Sequence, residues 1–319
     1  MEDSLNLSSE KEKNESEISE TSTTPSFDNR RIENPLLPTS TKSCGCGGMN
    51  NNNNSDKIIS SASYIYAVGK IVYRFPNRSI ELELAQALGR RPEEDTKGRT
   101  HDEVIYTALT DSANRYIARQ ICYVLTIEGL ETYILVPSDP LDIDRLAEAI
   151  RPNPGVEDIN VIIGRRGPIA PREMCNGLMV PIVIVDQIYS FDRDTLMKSI
   201  PKQKGTKEDQ FRKTSDAIFN YIIQIADNAG EIDEHRALNY LAVRYDEIYH
   251  RTQLLQDENY SFTGIEVRQS RLSGVEKIVD VVFSYENRTN RAVQKWFCRV
   301  GVSGEFPYLV SPMQEYFER

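Results

Sequence analysis

Residues 123–136 read YVLTIEGLETYILV. Two runs rich in β-branched and aromatic side chains flank Gly129, so the stretch reads as two strands joined in a hairpin. Upstream, YIYAVGKIVYRF (64–75) has the same composition and reads as a strand or a broken strand pair. Ser79 can cap a short helix, IELELAQALG, which Gly89 would close. A polar loop follows, RPEEDTKGR. Thr100 and Glu103 then form a capping-box pattern ahead of Ile105, Ala108, Ser112, Tyr116 and Ile117, whose spacing predicts a helix to about Arg119.

Downstream of the hairpin, Asp139-Pro140 opens a helix that stops before Pro152. Ile159–Ile163 and Leu178–Tyr189 are apolar enough to be buried strands. Between them GRRGPIAPREMCNG (164–177) reads as an irregular loop, and Asp192 caps a short helix ending before Pro201. The Lys- and Gln-rich stretch 202–208 reads as a boundary. Beyond it Phe211, Ile218, Ile222 and Ile225 mark one amphipathic helix, and Leu238, Leu241, Tyr245 and Ile248 a second, joined at Gly230. Three strands are expected at 262–269, 276–285 and 292–302; in the last, Trp296, Cys298, Val300 and Val302 share one face. The fold class is therefore α+β: a mixed α/β domain over 57–202, then a helical hairpin and a three-stranded antiparallel sheet over 203–319.

The chain carries a formal charge of −10 at a pI near 5.1, against the basic face that a nucleic-acid binder needs. Residues 1–34 alone hold nine acids and four bases, and 1–56 is a Ser-, Glu- and Asn-rich segment expected to be disordered. Its opening has neither a basic nor an apolar region, so a secretory signal is not expected. The longest apolar stretch, Leu178 to Val185, is interrupted by Pro181 and too short for a bilayer. Five cysteines over a long chain suit free thiols in a reducing compartment, which makes the cytoplasm the expected location.

Candidate chemistry is sparse. Cys44 and Cys46, one residue apart, could grip Zn²⁺ or Cu⁺, but two thiolates do not complete a tetrahedral site; the bland reading is two exposed thiols. Loop 164–177 carries Arg165, Arg166, Arg172, Cys175 and Asn176. Three guanidinium groups in an acidic protein could hold a peptide carboxylate or an acidic leader, and the bland alternative is a solvated loop whose arginines pair with the protein's own carboxylates. Cys175 as a nucleophile needs a base, and His101, His235 and His250 all fall in expected helices. Cys122 and Cys298 read as core thiols. No zincin, P-loop, dinucleotide-binding or nucleophile-elbow pattern is present.

Several longer stretches point one way: YAVGKIVYRFPN (66–77), ELAQALGR (83–90), YVLTIEGLETYILVP (123–137), RRGPIAPREMCNGLMVPIV (165–183), DQIYSFD (186–192) and WFCRVGVSGEFPYLVSPMQEYFER (296–319). Together they resemble the C-terminal region of PatG, the cyanobactin maturation protease, and its free-standing relatives. The resemblance spans roughly residues 64–319. It implies an accessory role in making ribosomally synthesised, modified peptides, and it implies no protease activity, because the subtilisin-like part is missing. The expected function is non-catalytic recognition of a precursor peptide or a processing enzyme, with a homo-oligomer possible. The alternative is an enzyme of unrecognised type acting through the Cys175 loop.

Overall fold

In the computed structural model the hairpin forms where the sequence puts it. Strands β2 (Cys122–Ile127) and β3 (Leu130–Pro137) pair antiparallel, with Tyr123 opposite Leu135 and Ile127 opposite Leu130. Glu128 and Gly129 make the turn at φ values of 50° and 82°, the two left-handed positions that suit the twist of a two-residue hairpin. The structure describes residues 63–89, 98–151, 158–200, 208–225 and 227–317. The segment 1–56, with Cys44 and Cys46, lies outside the described residues.

Around this hairpin a barrel closes in the order β1-β2-β3-β5-β4. Strand β1 (Tyr64–Arg74) serves two neighbours: Lys70–Arg74 pair with β2, and Tyr64–Gly69 pair with β4 (Asp158–Ile169). It changes partner at Gly69, where a Cβ would stand 2.4 Å from the Thr126 carbonyl oxygen. Only glycine allows that approach. Strand β5 (Pro181–Asp192) runs antiparallel to β4 and parallel to β3.

Helices α1 (Arg78–Gly89), α2 (His101–Leu109), α3 (Arg115–Ala118) and α4 (Ile143–Ala149) share a core with one face of the hairpin, through Tyr123, Leu125 and Leu135. The capping box at α2 is complete: Thr100 accepts from the Glu103 amide, and the Glu103 carboxylate accepts from the Thr100 amide at 2.6 Å. The helix expected to reach Arg119 stops at Leu109 instead. Asp111 accepts a hydrogen bond from the Ala113 amide and starts a fresh 3₁₀ turn over Ser112–Asn114, the usual effect of an Asp side chain competing for backbone donors.

The second half comprises α5 (Arg193–Ser199), α6 (Glu208–Ile223), α7 (Asp233–Arg244) and α8 (Glu247–Asp257), then an antiparallel sheet β6-β7-β8-β9. The sheet strands are Tyr260–Gln269, Ile278–Asn287, Val293–Gly301 and Tyr308–Tyr316. The sheet therefore has four strands rather than three. Strand β9 contains Pro312, which cannot donate to a ladder and hides a strand from sequence patterning; an edge position tolerates it. The expected second helix of the hairpin is likewise two helices. Tyr245 leaves the helical line at φ −123° and ψ 94°, and its hydroxyl accepts the Met313 amide at 2.9 Å.

From residue 59 onward the chain forms one compact unit. A single core joins Tyr66, Val68, Val161 and Ile163 of the barrel strands to Ile222, Leu238, Leu241, Phe283 and Val300 of the second half. Gly230 marks the join. Its carbonyl accepts the Tyr66 amide at 2.9 Å, and at φ 69° a Cβ there would lie 2.2 Å from the Tyr66 oxygen. Asn239, fully buried, donates to the same Tyr66 oxygen and exchanges hydrogen bonds with Asn228. No helix among the described residues is long and apolar enough to cross a membrane.

Candidate functional site

The residues singled out in 164–177 do not share one loop. Arg165 and Arg166 sit in β4, which continues to Ile169. Side chains of neighbouring strand residues point to opposite faces, and these two arginines have separate partners. Arg165 grips Asp186 of β5 through Nε at 3.1 Å and Nη2 at 3.3 Å, and Arg166 holds Glu231 at 2.8 Å. Arg172 and Asn176 lie in a turn closed by the Gly177 amide on the Arg172 carbonyl at 2.8 Å, with Asn176 at φ 46°. Arg172 directs its Nε to the Met179 sulfur at 3.3 Å.

Cys175 is fully buried and bonded to Cys122 of β2, its Cα 6.0 Å from that of its partner and 53 residues away in sequence. This corrects the expectation of free thiols for the pair. The turn folds back over the Cys122, Val124 and Ile134 face of the hairpin, a long-range contact that residue spacing does not announce. In the bonded state Cys175 has no thiolate to offer as a nucleophile. Cys298 is the free cysteine among the described residues; burial pushes its thiol up to about 12. Among the described residues, no group of three or more His, Cys, Asp and Glu could hold a metal ion.

The Arg165–Asp186 pair stands beside the turn between β8 and β9. Burial would raise Asp186, but hydrogen bonds with Arg165, Ser138 and Glu305 hold it below the usual carboxylate range. Glu305 moves the other way, raised first by burial and then by its hydrogen bond to Asp186. The turn is anchored from behind by Arg236 of α7, 3% exposed, which donates to the carbonyls of Val302 at 2.7 Å, Gly304, and Glu305 at 3.2 Å. Its guanidinium lies 5.6 Å from the ring centre of Tyr64.

Past that turn Phe306 and Pro307 face α7 and the barrel across a cleft of about 450 Å³. Tyr66 of β1, Tyr189 of β5 and Tyr240 of α7 line it, and Arg244 stands at its mouth. Tyr66 and Tyr240 meet edge to face at 6.4 Å, and the Arg244 guanidinium lies 5.7 Å from the Tyr189 ring centre. Arg244 makes no ion pair, and the three phenol oxygens make no hydrogen bond, among the described residues. Burial raises the Tyr66 hydroxyl and Arg244 partly opposes it, so the phenol stays a donor at neutral pH. One cation and three uncommitted hydroxyls in an aromatic cleft can hold a carboxylate by charge-assisted hydrogen bonds. Sequence reasoning missed this set because its members lie on β1, β5 and α7; the aromatic richness of 64–75 was the available signal.

Residues 205–316 match the family described as PatG C-terminal. The solved structure of the PatG domain of unknown function is similar in fold, with a TM-score of 0.64 at 18% identity, covering 80% of this chain and 99% of that one. No curated protein matches the chain.

Proposed function

We propose, from the premise that this chain carries a PatG C-terminal-like domain, that it is a non-catalytic recognition protein in the maturation of ribosomally made, modified peptides. Its ligand is a precursor peptide, and the contact is a peptide carboxylate held in the Tyr66–Tyr189–Tyr240–Arg244 cleft. The observation that supports this most is Arg244: a cation over an aromatic wall, with no carboxylate of its own among the described residues. Arg165 and Arg166, engaged with Asp186 and Glu231, act in this reading as supports of the rim.

A titration of the full chain with a synthetic precursor peptide tests the reading. The probe has an acidic leader, a Cys-Gly-rich core and a free C-terminal carboxylate. Saturable binding is expected, and Arg244→Ala weakens it about tenfold, or about 1.4 kcal/mol. Equal affinity of the wild type and Arg244→Ala would remove the cleft from the proposal, and no binding of any such peptide would remove the function.

A further inference from the structure

The four-stranded sheet has two edges, and they are not treated alike. Strand β9 carries Pro312 and meets β8 with register shifts on both sides of Arg299. Proline and bulges are the means by which proteins blunt an edge against strand pairing. Strand β6, YSFTGIEVRQ, has neither proline nor lysine in ten residues and a single register shift, between Phe262 and Gly264. Its charged residues Glu266 and Arg268 lie 3.5 Å apart, and Arg268 donates to the Tyr316 hydroxyl at 2.7 Å, so they do not guard the edge. No described strand pairs with the outer side of β6.

Helix α6 and β6 together line two hollows. One, of about 900 Å³, lies between α6, α8 and the start of β6 and is rimmed by Asp209, Lys213 and Arg288. The other, of about 540 Å³, has Leu238, Ile265 and Val267 in its wall. Tyr221 meets Phe262 edge to face at 5.1 Å, the one residue lining the second hollow and the other the first. Arg288 is tied by its Nε to the Ser261 hydroxyl at 2.6 Å, which keeps its charge at the β6 end of the first hollow. Neither Lys213 nor Arg288 has a carboxylate partner among the described residues. In the first hollow these two cations outnumber Asp209 by one, so its rim favours a carboxylate, whereas Glu234 lines the second hollow.

We infer that an extended acidic peptide docks here as a fifth strand on β6, in the groove against α6. Main-chain hydrogen bonds to the open edge supply affinity, and the two hollows select side chains. At about 3.3 Å per residue, the step from Phe262 to Ile265 and Val267 spaces the two selected positions about four residues apart. A carboxylate meets Lys213 and Arg288, and an apolar side chain enters beside Leu238. The inference deepens the peptide-recognition reading and rests on it, at a site separate from the Arg244 cleft.

The test is a selection of displayed random 12-residue peptides on the full chain, followed by titration of the enriched sequences as synthetic peptides. Enriched peptides are expected to carry Asp or Glu with an apolar residue about four positions away. Lys213→Glu/Arg288→Glu then weakens binding at least tenfold, and N-methylation of alternate peptide amides abolishes it with every side chain intact. Binding that survives both changes but is lost in Arg244→Ala would overturn the groove and leave the recognition reading standing. Failure to enrich any peptide would overturn both. Two other occupants would also overturn it: a second copy, seen as dimerisation abolished by the charge reversal, or the chain's own acidic start, seen as tighter peptide binding once the acids of residues 1–34 are made amides.

Discussion

Arg236 shows how much one side chain can hold in this fold. It is buried in α7, yet its hydrogen bonds go to carbonyls of the β8–β9 turn more than sixty residues away, from Val302 to Glu305. Replacing it with Met leaves those carbonyls without a donor, at a cost of about 3 kcal/mol, measurable as a lower denaturant midpoint at constant slope; an unchanged midpoint would show that the turn does not depend on it. Glu305 in the same turn gives a pH signature. Its folded pKa is raised, so the stability it contributes is present below the unfolded value of 4.5 and lost as pH rises through the folded one. Glu305→Gln mimics the protonated form. Its melting temperature should equal that of the wild type well below pH 4.5 and exceed it at pH 7.5; a constant difference would contradict the pairing with Asp186. Cys122 and Cys175, finally, should resist alkylation in the denatured protein until a reductant is added. None of these three features was legible in the sequence, because each depends on a partner 53 to 119 residues away, the last being Glu305 and Asp186.

What was legible were the elements with local causes. The Gly129 hairpin, the Thr100–Glu103 cap and the alternation of Trp296, Cys298, Val300 and Val302 follow from turn chemistry, capping and strand period, and each appears where expected. The misreadings share one origin: tertiary contacts overrode local pattern. Pro312 hid β9, and the Tyr245 hydroxyl, fixed by the Met313 amide, splits what periodicity joins into one helix. Arg165 and Arg166 read as loop residues, since Gly164, Gly167 and Pro168 surround them, but pairing with β1 and β5 keeps the backbone extended. Gly230 is an element junction that tolerates no side chain without strain. Gly230→Ala combines positive φ with a 2.2 Å approach to the Tyr66 oxygen and should cost about 2 kcal/mol or more, read from thermal unfolding. A neutral outcome would mean that the junction is looser than its hydrogen bond implies.

Taken whole, the barrel and the four-stranded sheet share a core that neither could complete alone. Phe283, fully buried in β7, packs in the same cluster as Tyr66 and Val161 of the barrel. Phe283→Ala should therefore cost about 3–5 kcal/mol and lower the melting of both halves together, in one transition by far-UV and near-UV circular dichroism. Two separated transitions would show that the halves fold independently. The two proposed surfaces both depend on this shared core. The Tyr66–Arg244 cleft is built from β1, β5 and α7, and the β6 groove needs α6 beside the sheet.

The claim beneath all of this is that the protein holds a peptide and leaves its covalent structure alone. Intact-mass spectrometry tests that directly: a bound precursor peptide is incubated with the full chain, released and weighed over several hours. The account predicts saturable binding with no change in peptide mass. A mass shift that accumulates beyond one equivalent of peptide per chain would contradict it.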